Sequence, residues 1–301
     1  MMTKAAMQYF DLTGRSALIT GATRGIGFGL AAGLAQAGAK IILNGRNPEK
    51  LAEATDRLRL QDVSAQTLCF DVRDQPAVQK AINNYESADG PIDILINNAG
   101  ILRDKSFGKM EWSDFEAVIN VHLLGSALCA HSVFPIMKEQ EFGRIVMTSS
   151  SSGLFGNFGQ TNYAAAKMGV IGLMNTLKLE GAKYNVHTNS IAPTATTRMT
   201  EHLFPAEFAE KLDPKYIIPA VIFLASEKAP NGEILEAGGG VVANTYVMET
   251  MGKYFGTDEN FTAEAVANHW AEIADTTDAR RLTQGGEVAI KHFETIGKSQ
   301  N

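Results

Sequence analysis

Two side chains that could exchange a proton with an organic substrate lie four residues apart, Tyr163 and Lys167, with Ser150 thirteen residues before the tyrosine. Four residues make about one helical turn, so on a helix the phenol and the ammonium would project from the same face. A free phenol has a pKa of about 10, and an adjacent positive charge favours its ionised form. The spacing therefore predicts a tyrosine with a lowered pKa that serves as an acid or a base.

The strands and helices that must position these groups alternate along the chain. Apolar runs predict strands at 16–20, 40–44, 66–70, 92–96, 144–148 and 187–191, with helices at 26–37, 48–60, 76–85, 115–138 and around Tyr163 and Lys167. Such alternation gives right-handed βαβ units and a parallel sheet. We predict the α/β class, as a single-domain, doubly wound Rossmann fold over residues 10–250 with a mostly parallel sheet. Residues 251–301 are predicted to form a C-terminal helical extension packed on the same domain.

A glycine-rich turn follows the first predicted strand and opens the first predicted helix. Glycines in this context allow a tight turn and let a pyrophosphate approach backbone N–H groups at a helix N-terminus. Polar residues at the ends of the third and fourth strands would reach the same edge of the sheet. The predicted dinucleotide-binding residues are Gly21, Thr23, Arg24, Gly25, Ile26 and Gly27 in the turn, and Asp71, Val72, Asn98, Ala99 and Gly100 at the later strand ends.

Composition limits the classes of protein that remain. The chain has 301 residues, of which 45% are hydrophobic, and a net charge of −6, which gives no electrostatic reason to expect nucleic acid or an anionic membrane surface. Cys69 and Cys129 lack the spacing of metal ligands, so we interpret both as reduced, apolar core residues and expect no metal. We find no targeting signal and no apolar stretch of about 18 residues, and therefore expect a cytoplasmic protein without membrane contact.

Taken together, these motifs resemble the short-chain dehydrogenase/reductase family over nearly the whole chain. The family's order is present: Thr-Gly-x-x-x-Gly-x-Gly from Thr20, Asn-Asn-Ala-Gly from Asn97, then the serine and Tyr-x-x-x-Lys. Segments 98–107, 121–126, 143–150, 156–160 and 191–200 are similar to the (3R)-hydroxyacyl-CoA dehydrogenase units of peroxisomal multifunctional enzymes type 2. Residues 10–96 are more similar to gluconate 5-dehydrogenases. The chain ends Ser-Gln-Asn, which is not a peroxisomal address, in line with the expected location.

The resemblance implies hydride transfer between a nicotinamide cofactor and a carbonyl carbon. Tyr163 would protonate the developing alkoxide, Ser150 would polarise the oxygen, and Lys167 would also hydrogen-bond the nicotinamide ribose. Ser149, Ser151 and Ser152 compete with Ser150, which is chosen for its thirteen-residue spacing.

Two positions depart from the family pattern. His122 stands where the family usually has an asparagine that completes a proton relay, and it either replaces that group or is a buried histidine at a helix bend. Pro193, expected beside the nicotinamide, is followed by Thr194 where most members have glycine.

Cofactor preference depends on the end of the second strand. NAD-preferring members place an aspartate where Gly45 stands, to bind the ribose hydroxyls. Here the neighbouring Arg46, together with Arg24, offers two guanidiniums suited to a 2′-phosphate. We therefore predict NADP(H), with NAD(H) as the alternative.

Substrate signals are weaker. The segment 194–219 resembles a substrate-covering loop, with Met199, Leu203, Phe204, Phe208 and Leu212, and Leu154, Phe155 and Phe158 would line the pocket from the serine side. Arg103 and Lys105 either meet a CoA phosphate or are exposed charges. The leading hypothesis is an oxidoreductase of 3-hydroxyacyl-CoA or 3-oxoacyl thioesters in fatty acid metabolism. The alternatives are a reductase of sugar acids, polyols or xenobiotic ketones, and a non-catalytic dinucleotide-binding regulator. The resemblance also implies a homodimer or homotetramer.

Overall fold

Eight strands form one sheet within the part of the chain that the computed structural model describes, residues 10–196, 207 and 210–298. In chain order they are β1 (Ser16–Ile19), β2 (Lys40–Gly45), β3 (Ala65–Cys69), β4 (Ile94–Asn97), β5 (Gly143–Thr148), β6 (Val186–Pro193), β7 (Ile234–Gly238) and β8 (Val241–Thr245). Their order across the sheet is β3-β2-β1-β4-β5-β6-β7-β8, and every neighbouring pair from β3 to β7 is parallel. The predicted doubly wound fold is therefore confirmed.

The chain reverses its winding direction between β1 and β4, which are neighbours in the sheet. A crevice opens at the carboxyl ends of the strands at such a switch point, and ligands of doubly wound folds bind there. Only two residues, Gly239 and Gly240, connect β7 to β8, a length that suits an antiparallel hairpin and is too short for a parallel crossover. Sequence periodicity missed both of these last strands.

The helices cover both faces of the sheet. They are α1 (Gly25–Gln36), α2 (Pro48–Arg59), α3 (Gln75–Asp89), α4 (Trp112–Ile119), α5 (Gly125–Glu139), α6 (Ser151–Phe155), α7 (Thr161–Gly181), α8 (Ile218–Ala225), α9 (Ala263–Asn268), α10 (Trp270–Ile273) and α11 (Glu287–Lys298). Because side chains alternate along a strand, Ile19 packs in a core layer with α1 and α8, and Leu18 in the opposite layer with α3, α5 and α7. Two apolar layers thus hold the sheet.

The helix predicted at 115–138 begins earlier and is interrupted. A π-helical turn over Asn120–Leu124 separates α4 from α5, and His122 lies within it. Such turns are rare and occur frequently at functional sites. Taken together, α4, the π-helical turn and α5 span Trp112–Glu139, which is long and apolar enough to cross a bilayer. The expectation that no apolar stretch reaches about 18 residues was therefore wrong. The apolar residues Val133 and Met137 of this stretch are packed in the protein core, which accounts for the hydropathy.

One of the two cysteines is not a core residue. Cys129 is buried in α5, as expected, but Cys69 is an exposed free thiol. The reason is topological, since β3 is the edge strand of the sheet and Cys69 is its last residue. The interpretation of Cys69 as a buried apolar side chain was therefore wrong.

The chain divides into two compact units, one ending at Asn244 and the other beginning at Thr245. In the second unit, Glu249 and Arg280 form an antiparallel bridge. Lys291 of α11 is buried, donates to the carbonyl oxygen of Thr250 at 2.6 Å and pairs with Glu249 at 2.8 Å. The second unit therefore has its own polar anchor, and the packing of this extension on the first unit stays a prediction.

Candidate active site

The loops that follow β1 and β4 are joined by one threonine side chain. Thr20 Oγ1 accepts hydrogen bonds from the backbone N–H groups of Asn98, at 2.9 Å, and Ala99, at 3.0 Å. The side chain of Asn98 adds a further bond, because its Nδ2 donates to the carbonyl oxygen of Thr20 at 2.9 Å. Because these loops border the switch point, the hydrogen bonds give the two walls of the crevice a fixed separation.

The glycine turn fits a pyrophosphate. Gly21 and Gly25 have φ angles of 64° and 58°, a region that favours glycine. A Cβ built on Gly27 would lie 2.5 Å from Asn98 Nδ2, so this position has no room for a side chain. The N-cap of α1, Arg24, makes no side-chain cap, which leaves the N–H groups of the first turn for an anion.

Asn44 is a positioning residue that sequence reasoning did not single out. Its side chain is buried, donates from Nδ2 to the carbonyl oxygens of Leu68 and Phe70 at 3.0 and 3.1 Å, and accepts from the N–H of Gly21 at 3.3 Å. It thus ties the ends of β2 and β3 to the glycine turn. The available signal was a polar residue at the end of an otherwise apolar strand.

The adenosine end of the predicted site carries alternating charges. Asp71 and Val72 follow β3 after one intervening residue, and the buried Val72 side chain packs where a Cβ on Gly125 would stand. Arg46 and Arg24 are exposed, as a 2′-phosphate site requires. A cavity of about 510 Å³ lies beside Asp71 and is lined by Asp71, Arg73, Asp74, Asn120, Leu124 and Leu128.

The contacts of Ser150 and Ser149 distinguish these two among the four competing serines. Ser150 lies close enough to Tyr163 to lower the pKa of the phenol, and Ser150 Oγ caps α6 by accepting from the N–H of Ser152 at 3.2 Å. Ser149 is fully buried and donates to the carbonyl oxygen of Lys167 at 2.9 Å, so it holds α7 in place. Ser150 is the serine that the fold brings to Tyr163.

Lys167 is buried beside the tyrosine. Its Nζ lies 5.5 Å from the centre of the Tyr163 ring and donates to the carbonyl oxygen of Thr148 at 2.6 Å. Burial lowers the pKa of Lys167 to about 7. A Cβ on Gly153 would lie 2.6 Å from Lys167 Cβ, so this glycine lets α6 pack closely against α7.

The pKa of Tyr163 is raised, which corrects the expectation of a lowered value. Burial is the largest cause, the hydrogen bond from Ser150 opposes it, and the carboxylate of Asp104 raises the pKa further. Lys167 is itself only partly charged near neutral pH, and its ammonium is engaged with Thr148. Tyr163 is therefore a protonated phenol at neutral pH, the form that donates a proton.

His122 lies against the same tyrosine. The two rings make an edge-to-face contact with centroids 5.1 Å apart, and His122 is only 3% exposed. Its Nε2 is 3.0 Å from the N–H nitrogen and 2.8 Å from the carbonyl oxygen of Ile101, so either neutral tautomer finds a partner there. Burial, with a contribution from Lys167, lowers the pKa of His122 to about 3, so the ring is neutral. Nδ1 is buried without a hydrogen-bond partner in the described residues.

The profile of the family described as short chain dehydrogenase matches residues 15–207, which include the glycine turn, Ser150, Tyr163 and Lys167. The chain belongs to the short-chain dehydrogenase family. It is therefore an oxidoreductase of a family that binds NAD(P) and small-molecule substrates.

Three relatives show how this dehydrogenase compares with known proteins. A short-chain type dehydrogenase/reductase of Mycobacterium tuberculosis is 40% identical over 88% of this chain and 96% of its own. The structure of full-length peroxisomal multifunctional enzyme type 2 from Drosophila melanogaster has a TM-score of 0.82 and 36% identity over 96% of this chain. This chain spans only 50% of that enzyme. A gluconate 5-dehydrogenase from Burkholderia cenocepacia, solved with NADP and tartrate, has a TM-score of 0.73 and 35% identity over 78% of this chain and 98% of its own.

The substrate side of this dehydrogenase differs in part from the sequence expectation. Phe155 and Phe158 are exposed, Phe158 by 91%, whereas Leu154 packs against the core. Pro193 ends β6, and beyond it Leu212 is half-buried and accepts from the N–H of Thr196 at 2.7 Å. The predicted covering residues Met199, Leu203, Phe204 and Phe208 lie outside the described residues.

Of the three consecutive charged residues 103–105, two contact other side chains of the protein. Arg103 pairs with Asp114 at 3.4 Å, and Lys105 is exposed. Asp104 accepts from Gln160 Nε2 at 2.6 Å, which fixes the carboxylate that acts on Tyr163. Over the described ranges, no three His, Cys, Asp or Glu side chains gather as metal ligands do.

Two substitutions of His122 should separate its anchoring contact from a proton-transfer role. An asparagine amide offers Ile101 both a donor and an acceptor, so we expect His122→Asn to retain ketone reduction within roughly fivefold of wild type. His122→Phe keeps the ring contact but leaves Ile101 without a polar partner, and we expect roughly a hundredfold loss of kcat. Steady-state kinetics with a matched change at the half-buried His187, whose Nδ1 meets the carbonyl oxygen of Ala229, provides the control. An equal loss in both His122 variants would instead assign the imidazole to proton transfer.

Proposed function

We propose that this enzyme interconverts a secondary alcohol and a ketone by NAD(P)-dependent hydride transfer, with 3-hydroxyacyl-CoA or 3-oxoacyl thioesters as substrates. The observation that carries the proposal is the buried Lys167, whose Nζ lies 5.5 Å from the centre of the Tyr163 ring, with Ser150 beside that tyrosine. Their elements follow β5, which neighbours β4 at the switch point. This order of the strands supports a site in which the pair and the glycine turn share one crevice.

The protein side of the reaction follows from the protonation states. A bound nicotinamide dinucleotide would supply or accept the hydride. In reduction, the protonated Tyr163 donates its proton to the carbonyl oxygen, which is also held by the hydroxyl of Ser150. The protonated fraction of Lys167, whose pKa is about 7, stabilises the tyrosinate that forms, because a nearby ammonium favours the anion. In oxidation the same tyrosinate accepts the proton of the alcohol.

Support for the thioester substrate comes from the extent of similarity to the multifunctional enzyme, which covers 96% of this chain, C-terminal residues included. Similarity to the gluconate 5-dehydrogenase covers 78% and supports the alternative, a sugar acid or polyol. The third hypothesis is a dinucleotide-binding regulator that catalyses no reaction. It is disfavoured because the chain carries all three residues of the family's catalytic motif, Ser150, Tyr163 and Lys167.

We propose NADP(H) as the preferred cofactor. Arg46 and Arg24 are exposed beside the turn, and both guanidiniums suit a 2′-phosphate. The aspartate of NAD-preferring members would require Thr23 to shift here, since a Cβ on Gly45 would lie 2.8 Å from Thr23 Cγ2. The complex of the gluconate 5-dehydrogenase with NADP is consistent with this choice.

Substrate and cofactor can be tested together by comparing turnover of acetoacetyl-CoA and 5-ketogluconate, each with NADPH and with NADH. We expect acetoacetyl-CoA to have a kcat/KM at least tenfold higher, and NADPH to be preferred roughly tenfold or more. Absence of activity on acyl thioesters would eliminate the leading substrate class, and a preference for NADH would eliminate the cofactor assignment. The two parts of the proposal are thus tested separately.

We also propose a cytoplasmic homodimer or homotetramer. The exposed apolar residues Leu124 in the π-turn, and Met168 and Leu179 on α7, support self-association. The exposed thiol of Cys69 is compatible with a reducing compartment. Light scattering of the purified protein and fractionation of its cells would test these two points.

A further inference from the structure

Two arginines share one carboxylate at the adenosine end of the predicted site. Arg73 holds Asp71 with its Nε on Oδ1 at 3.0 Å and its Nη2 on Oδ2 at 2.7 Å, and its backbone N–H donates to Oδ1 at 3.0 Å. Arg46 Nη1 lies 3.5 Å from the same Oδ2. Arg73 is therefore the tight partner of Asp71, and Arg46 is the loose one.

The charges at this position do not cancel. Hydrogen bonding to Arg73 is the largest cause that lowers the pKa of Asp71 to about 2, while Arg46 contributes least. The carboxylate is therefore ionised at any working pH, and one negative charge stands between two guanidiniums. Arg73 fills three of the roughly four acceptor positions of the Asp71 carboxylate, and the side chain of Arg46 is 63% exposed, so most donors of Arg46 face solvent.

We propose that Arg73 is a cofactor-specificity residue, which binds Asp71 and thereby leaves Arg46 available for the 2′-phosphate of NADP(H). The inference rests on the proposed NADP(H) preference. Arg73 acts through Asp71 and is a positioning residue. Without Arg73, the carboxylate of Asp71 pairs closely with Arg46. The negative charge of Asp71 is then no longer offset by a second guanidinium, and it repels a dianionic phosphate at the end of β2.

Binding of two adenosine fragments tests this role without any catalytic step. Calorimetric titrations with 2′,5′-ADP and with 5′-AMP give, for each variant, the ratio of the two affinities, which isolates the 2′-phosphate. We expect Arg73→Ala to lower that ratio by roughly tenfold. Adding Asp71→Asn to Arg73→Ala should restore most of the ratio, because the competing carboxylate charge is gone.

The matched control is Arg59→Ala, which removes the same charge from an exposed ion pair with Asp56 on α2. A ratio unchanged in Arg73→Ala, or lowered equally in Arg59→Ala, overturns the inference, as does failure of Asp71→Asn to restore it. Wild-type protein that binds both fragments equally would refute the NADP(H) preference itself and the inference with it. Thermal unfolding of each variant verifies that the ratios are compared between folded proteins.

Discussion

Tyr163→Phe is expected to lower kcat for ketone reduction by roughly a thousandfold or more, since it removes only the proton donor. The phenyl ring keeps the edge-to-face contact with His122, so the packing around α7 should persist. Dinucleotide affinity, measured by quenching of protein fluorescence, should change by less than about threefold, because the change leaves the glycine turn intact. Unchanged turnover in this variant would show that Tyr163 is not the acid.

The pH dependence of the two directions provides a second readout for the same residue. Burial raises the pKa of Tyr163, so the phenol is protonated at neutral pH and the tyrosinate forms only at alkaline pH. We therefore expect the rate of alcohol oxidation to rise as pH increases above neutrality, and the rate of reduction to fall once the phenol ionises. Both trends should disappear from the residual activity of Tyr163→Phe. An oxidation rate that is constant through the alkaline range would contradict the assignment of the base.

Lys167→Met is expected to have the second largest effect, a loss of kcat of about a hundredfold or more. Methionine has a similar length but no charge to stabilise the tyrosinate, and it leaves the carbonyl oxygen of Thr148 without its donor. Pre-steady-state measurement of hydride transfer would locate the loss in the chemical step. Hydride transfer at the wild-type rate would remove Lys167 from the mechanism.

The same substitution should change the stability of the fold in a way that depends on pH. The pKa of Lys167 is about 7 in the folded protein and near 10.5 in the unfolded chain, so the buried charge costs stability fully below pH 7. That cost is lost as pH rises from about 7 toward 10.5. The gain in Tm of Lys167→Met over wild type should thus be largest in mild acid and shrink in alkali. Lys80→Met, at an exposed lysine of α3, should show no such trend.

Local patterns were sufficient to predict most elements but not the last strands. Buried parallel strands are short apolar runs, which β1, β2, β4 and β5 illustrate. β7 contains a glutamate and ends at glycine, and four of the five residues of β8 are exposed, so neither strand has that pattern. The strands form because β6 and the hairpin turn provide partners, which is a property of the folded sheet.

For the candidate active site, the sequence by itself determined which groups are proposed to do chemistry, since a turn, a helix spacing and a strand end are local features. The glycine turn, Ser150 and the pair of Tyr163 and Lys167 were all identified in this way. The thirteen-residue spacing chose Ser150 over Ser149, and the tertiary structure gives the physical reason, because the hydroxyl of Ser149 is engaged with the carbonyl oxygen of Lys167.

Protonation was likewise decided by the tertiary structure. The spacing of Tyr163 and Lys167 predicted a lowered tyrosine pKa, but the folded protein buries both groups and raises it. Burial removes water from a charge, and it arises from residues distant in sequence, as do the contacts of His122 with Ile101 and of Asn44 with Gly21. The sequence therefore selected the proposed acid, and the fold sets the direction in which its pKa moves.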